Sequence, residues 1–214
     1  MDDYINRLEN NDPTLVELCI HNEINVNTRK FVNSLKNNTC LQILYIRCGD
    51  NDFNVNEIVE ILKHNTSLKK INIYGMDYIN ENDINKIIYS LQVNTTLRIL
   101  DIAEGYINDN NATEIANMLK VNTTLQGLII YNNIISRSGI IEIINALHIN
   151  TTLKVLDIKW NNFNYDDVRD EIIDILQYNY TLEELRGVYL GDFLSSENRN
   201  MRRRFLTTKC AKKS

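Results

Sequence analysis

The chain has 214 residues, 43% of them apolar, and a formal net charge of −5. That is enough apolar side chain to bury a core, which excludes a disordered polypeptide, and no apolar run approaches the roughly 18 residues that a bilayer span needs. The charge hides an asymmetry: residues 199–214 hold seven of the 23 basic residues and no acid, so residues 1–198 set 16 basic against 28 acidic residues, a net of −12.

Met1-Asp2-Asp3-Tyr4 is acidic where a secretory signal would be basic and then apolar, so a cytoplasmic protein without membrane contact is expected. Cys19, Cys40, Cys48 and Cys210 form no CxxC or Cys/His ligand spacing, which predicts free thiols and no zinc. The 33 asparagines share AT-rich codons with the abundant isoleucines and tyrosines, a compositional bias with no mechanism attached.

In chain order, Met1, Tyr4, Ile5 and Leu8 have helical spacing and predict an N-terminal cap over residues 1–14. A signature close to Asn-Thr-Thr-Leu then recurs, with its leucine at Leu15, Leu41, Leu68, Leu97, Leu125, Leu153 and Leu182, at spacings of 26 to 29 residues. A fixed period of that length is the mark of a solenoid. Each leucine is followed by an apolar pair two residues apart, such as Leu44 and Ile46, Ile71 and Ile73, or Leu128 and Ile130. That spacing puts both side chains on one side of a strand.

The second half of each unit changes period. Val55, Ile58, Val59 and Leu62 form one face of a short helix, as do Ile84, Ile87, Ile88 and Leu91, then Ala112, Ile115, Ala116 and Leu119, then Ile140, Ile143, Ile144 and Leu147. Three residues past the last apolar position stands an asparagine, at Asn38, Asn65, Asn94, Asn122, Asn150 and Asn179. Asparagine tolerates the left-handed backbone that ends a helix, and its side chain can hold the backbone through the turn into the next strand, so both are expected at these positions.

A strand with one helix cannot close a core alone, so the units must stack. The expected fold is α/β: a curved leucine-rich repeat solenoid of about seven repeats over residues 15–194, with a parallel sheet on the concave side and helices on the convex side. Residues 195–214 are expected to form a C-terminal cap and basic tail, and no linker divides the chain, which predicts a single domain over 1–214.

The period and the fifth unit, Leu125-Gln-Gly-Leu-Ile-Ile-Tyr-Asn-Asn133 followed by Gly139, Ile143, Leu147 and Asn150, resemble the ribonuclease-inhibitor-like class of leucine-rich repeats. Within that class, Asn10-Asn-Asp-Pro-Thr-Leu-Val-Glu-Leu18, Glu114-Ile-Ala-Asn-Met-Leu-Lys-Val-Asn-Thr-Thr-Leu125 and Asn200-Met-Arg-Arg-Arg204 are similar to the C-terminal repeat domain of tropomodulin. That resemblance implies capping of the pointed end of actin filaments. It does not extend to the elongated N-terminal half through which that family binds tropomyosin.

A fold hosts many activities, so function must be read from sites. There is no phosphate-binding loop, HExxH, GxSxG or dinucleotide fingerprint, so no enzyme, metal or cofactor is expected. His21, His64 and His148 fall at different registers, with only His21 facing the concave side. Asp101 and Asp157 share a register two units apart, at a separation of roughly 10 Å that would suit an inverting carboxylate pair, but the plainer expectation is two solvated acids on a binding face.

Strand residues that point away from the core are free to vary and should line the concave side. Tyr45, Arg47, Tyr74, Asp101, Tyr131, Asp157, Lys159 and Trp160 are therefore the expected partner-binding residues. Tyrosine, tryptophan and arginine dominate interface hot spots, and a lining of mixed charge fits a protein partner, where nucleic acid would ask for a basic stripe. The first expectation is a general protein-interaction scaffold, and the alternative is actin binding with pointed-end capping. In the tail, Arg199, Arg202, Arg203 and Arg204 offer an acidic partner a second site or simply solvate the C-terminal end.

Overall fold

In the computed structural model, which describes residues 2–20, 28–48, 54–75 and 79–188, every signature leucine leads into a strand: β1 (Glu17–Ile20), β2 (Ile43–Arg47), β3 (Lys70–Tyr74), β4 (Ile99–Asp101), β5 (Gly127–Ile129), β6 (Val155–Asp157) and β7 (Glu184–Arg186). The strands pair in chain order in one seven-stranded sheet. All are parallel, and their register sets Leu18, Leu44, Ile71, Leu100, Leu128, Leu156 and Leu185 in one row. That row is buried along its whole length, as is the row formed by Ile20, Ile46, Ile73, Ile102, Ile130 and Ile158.

Against this face pack the helices α1 (Asp2–Glu9), α2 (Thr28–Lys36), α3 (Val55–His64), α4 (Glu81–Val93), α5 (Asp109–Val121), α6 (Arg137–Ala146) and α7 (Arg169–Tyr178). The expected faces of α3 to α6 are buried position by position, including Ala112 and Ala116, whose small side chains let neighbouring helices approach. In α1, Ile5 and Leu8 are buried but Tyr4 is exposed. Helices α3 to α6 start where short polar side chains hold orphan backbone N–H groups. Asn54 accepts from the Glu57 N–H and the Glu57 carboxylate accepts from the Asn54 N–H, a reciprocal capping box. Asn80, Asn108 and Ser136 cap α4, α5 and α6. The result is the α/β leucine-rich solenoid that the period predicts. The C-terminal cap and the basic tail lie outside the described residues.

The repeated asparagines hold the turn into the next strand with their side chains, as expected, but not through a left-handed backbone. Asn65, Asn94, Asn122 and Asn179 have φ between −73° and −83° with extended ψ, so none is left-handed. Their side chains point inward instead. Nδ2 of Asn38, Asn65, Asn94, Asn122, Asn150 and Asn179 donates to the carbonyl of Leu8, Leu35, Leu62, Leu91, Leu119 and Leu147 at 2.6–2.9 Å, always in the preceding unit. Each Oδ1 accepts from the N–H of its own signature leucine at 2.7–2.8 Å. A helix end leaves its last carbonyls without partners, and here the next unit supplies the donor. Hydroxyls add a second link: Ser67, Thr96, Thr124 and Thr152 donate to the carbonyl of the preceding unit's asparagine.

Two consequences can be measured. Leu128→Asp, at a fully buried position, is expected to unfold or aggregate the protein, because an unpaired buried charge costs several kcal/mol against a total stability of about 5 to 15. Asn122→Ala is expected to cost about 2 to 4 kcal/mol in denaturant unfolding, since it orphans the Leu91 carbonyl and two N–H groups while removing little apolar contact. A melting curve unchanged in either variant would contradict the register.

Candidate functional site on the open sheet face

Alternate strand residues point away from the helices. One outer row is Cys19, Tyr45, Asn72, Asp101, Ile129, Asp157 and Arg186, fixed by strand register. Two residues further on stand Arg47, Tyr74, Ala103, Tyr131 and Lys159, and one beyond Lys159 is Trp160. Tyr45, Arg47, Tyr74, Asp101, Tyr131 and Lys159 are half-buried and Trp160 is 74% exposed.

These residues form two groups. On β2 and β3, the Lys70 ammonium lies 5.1 Å from the Tyr45 ring centroid and 3.4 Å from its hydroxyl, an arrangement that a cation and an aromatic face favour. The Tyr74 hydroxyl reaches across β2 to donate to the Ile20 carbonyl at 3.1 Å. Arg47 extends across Gly75, where a Cβ would come within 2.7 Å of Arg47 Cγ; the glycine also has φ +69°, so both the close approach and the left-handed turn require it.

The second group spans β4 to β7. Asp101 Oδ2 accepts from Asn72 Nδ2 at 2.7 Å, and burial pushes its carboxyl up, against the pull of hydrogen bonds from the Ala103 N–H and Asn72. Asp157 is only 4% exposed. Its carboxylate lies 3.4 Å from the Arg186 guanidinium and 3.7 Å from the Lys159 ammonium. The expectation of two solvated acids is therefore corrected: one is half-buried, the other buried, and each is engaged by a neighbour on the sheet. Arg186 in turn holds both oxygens of Glu184 at 2.6 and 3.0 Å, and this pairing raises its already high pKa.

Tyr131 sits at the centre of this group. Its hydroxyl donates to Glu104 Oε1 at 2.8 Å, and the Trp160 ring meets it edge-on, with centroids 5.8 Å apart and planes at 76°, the geometry that aromatic quadrupoles prefer. The hydrogen bond to Glu104, with burial and nearby acids adding to it, pushes the phenol up to about 12.

Sequence reasoning missed Lys70, Glu104 and Glu184. Glu104 had a detectable signal, because it stands in the same place as Gly75, Asn132 and Trp160, three residues past the outer row. All four are left-handed, with φ of +69°, +58°, +52° and +53°. Glycine and asparagine accept that backbone readily, but a bulky tryptophan there stores strain. The chain thus holds its most exposed concave-side aromatic in a conformation that costs stability.

The histidines take no part in these groups: His64 and His148 are exposed beside Glu60 and Asp174, each at 3.5 Å, and His21 lies outside the described residues, as do Arg199, Arg202, Arg203 and Arg204. Among the described residues no helix is long and apolar enough to cross a membrane. In an alkaline absorbance titration, one tyrosine is expected to ionise near about 12 and to return towards 10 in Glu104→Gln. An unshifted titration in that variant would break the Tyr131–Glu104 assignment.

Comparison with known proteins adds a family. None of the curated proteins matches the chain in sequence. Among solved structures, the tropomodulin C-terminal domain of Caenorhabditis elegans superposes with a TM-score of 0.59 at 15% identity, over 71% of this chain and 89% of its own, a likeness of fold. Leiomodin-1 actin-binding site 2 matches at 22% identity and a TM-score of 0.48, covering 86% of this chain and 77% of that one. A chain of the yeast Rad7–Elc1 complex matches at 15% identity and 0.49, over 86% and 56%. The family model for the tropomodulin/leiomodin (TMOD/LMOD) leucine-rich domain matches residues 51–185. That stretch is more than half of the chain and runs from four residues before α3 to the middle of β7, so the chain belongs to the tropomodulin/leiomodin leucine-rich domain family.

Proposed function

We propose that this chain is a non-enzymatic actin-binding module that acts at the pointed end of the filament, with the open sheet face as its contact surface. The observation that carries this reading is the family match over residues 51–185, which is to a leucine-rich domain and not to a class of enzyme. It moves the balance from a general interaction scaffold to the actin-binding alternative.

The chemistry of the face supports a protein contact. Tyr74, Tyr131 and Trp160 present large amphipathic area at low cost in side-chain entropy. Charges of both signs are already fixed by neighbours, so little rotamer freedom is lost on binding. The strained backbone of Trp160 fits the same reading. A left-handed tryptophan that served stability alone would be replaced to advantage by asparagine or glycine, which the units of β5 and β3 hold at that place.

The test is co-sedimentation with filamentous actin, joined to pointed-end elongation. The full chain is expected to pellet with filaments and slow pointed-end growth. Trp160→Asn is expected to keep or raise the melting temperature, by up to about 1 kcal/mol of relieved strain. It and Tyr131→Ala are each expected to cost about 2 kcal/mol in binding, roughly 30-fold. Loss of binding on charge reversal of Arg202, Arg203 and Arg204, with the face variants unaffected, would transfer the contact to the basic tail. An absence of both pelleting and elongation effects would overturn the actin reading.

A further inference from the structure

Among the apolar side chains left exposed, which include Tyr4, Val16, Tyr89, Tyr106 and Ile134 at separate places, one set shares a register. Val93, Val121, Ile149 and Tyr178 each stand one residue before the inward-pointing asparagine of four consecutive units, and they are 70%, 57%, 61% and 65% exposed. Equal register in consecutive units makes them a row along the solenoid: Val93, Val121 and Tyr178 are the last residues of α4, α5 and α7, and Ile149 stands three residues past the end of α6. Tyr180, one residue past Asn179, is 76% exposed, and the His148 ring leans on Tyr178 at 6.4 Å. A lone exposed valine is ordinary, but four apolar residues at one place in four successive units form a contiguous strip of the kind that marks a contact.

Charge indicates what kind of contact. Residues 1–198 carry a net of −12, yet the border of this strip is basic. Lys63, Lys69 and Lys120 are exposed, and the Arg98 guanidinium sits on the same rim, donating to the Thr124 carbonyl. The acids nearby are already engaged: Glu60 with Lys36, Asp174 with His148, and Glu183 with Lys154. The helix N-terminal rim opposite holds the acids Glu81, Asp83, Asp109, Asp166 and Asp167.

We propose that this strip is a second interaction surface, separate from the open face, and that it docks an amphipathic helix of a protein partner whose apolar stripe is flanked by aspartate and glutamate. Spacing agrees with charge. Strands lie about 4.8 Å apart and packed helices about 10 Å, so a row between the two layers advances by an intermediate step. The apolar stripe of an α-helix advances about 5.4 Å per turn, which lets a helix laid along the solenoid meet each unit with one side chain or two.

The test uses a fluorescein-labelled synthetic helix of about 20 residues with leucines at i, i+3, i+4 and i+7, flanked by glutamates, and its lysine-flanked counterpart, titrated with the full chain by anisotropy. The glutamate peptide is expected to bind and the lysine peptide not. Val121→Glu/Ile149→Glu should weaken binding at least tenfold, and so should Lys63→Glu/Lys120→Glu, with melting unchanged because these side chains are exposed. Val121→Ser/Ile149→Ser, which removes apolar area without adding charge, provides the same reading if the glutamates disturb the fold. Equal binding of the two peptides, no binding of the glutamate peptide, or binding that survives the apolar substitutions overturns the proposal. So does sedimentation with phosphatidylserine vesicles, or a dimer, that the apolar substitutions abolish: the first gives the strip to a membrane, the second to another copy of this chain. Actin pelleting by the same variants should stay at the unsubstituted level, which separates this surface from the open face.

Discussion

The asparagine that closes each helix joins one unit to the next. Its Nδ2 serves a helix carbonyl of the unit before, and its Oδ1 serves the N–H that starts the strand of its own unit. A parallel solenoid has a specific polar problem, because every helix ends in unpaired carbonyls beside a tight buried turn with unpaired N–H groups. An amide side chain is neutral and carries an N–H donor and a carbonyl acceptor on separate atoms, so it can serve both at once. Placed one per unit, it satisfies both needs and fixes how far each unit is offset from its neighbour. A second set does the same at the other end of the strands, where Asn133 and Asn161 donate to the Ile102 and Ile130 carbonyls of the preceding units and accept from the Ile107 and Ile135 N–H groups. With both ends of the strand held, its outward side chains are relieved of structural duty.

That division of labour explains the contrast between the two faces of the sheet. Inside, aliphatic residues recur with little variation. Outside, one register holds cysteine, tyrosine, asparagine, aspartate, isoleucine, aspartate and arginine in successive strands. Even there the polar groups are not loose, because Asn72 is tied to Asp101, Asp157 to Lys159 and Arg186, and Tyr131 to Glu104. The face is an ordered polar network with aromatic rings set into it, and it reaches a partner with much of its side-chain entropy already spent.

The fold was legible because its signal is repeated. Seven signature leucines and four helical faces specify strand count, order, parallel pairing and layering, since no other arrangement buries them all. The open face was legible by the same count, as alternation in a strand assigns outward residues without further information. Two things escaped. The asparagine side chains were expected to hold the turn into the next strand, and they do, but their donation to the preceding unit escaped because that contact lies about 30 residues away in sequence. Burial of Asp157 also escaped, because it depends on Arg186 and Lys159 closing over it, and side-chain reach is not written in a periodic pattern. The many asparagines, read first as a codon bias, thus include eight whose side-chain nitrogens link successive units at the two ends of the strands.

The inward-pointing asparagines also bear on covalent modification. Asn65-Thr-Ser, Asn94-Thr-Thr, Asn122-Thr-Thr, Asn150-Thr-Thr and Asn179-Tyr-Thr all spell the N-glycan acceptor. The atom a glycosyltransferase would modify is in each case the Nδ2 that donates to the preceding helix. The folded chain offers that nitrogen to no enzyme, and a sugar attached before folding would have to occupy the seam between two units. At these five positions a glycan and this fold exclude one another.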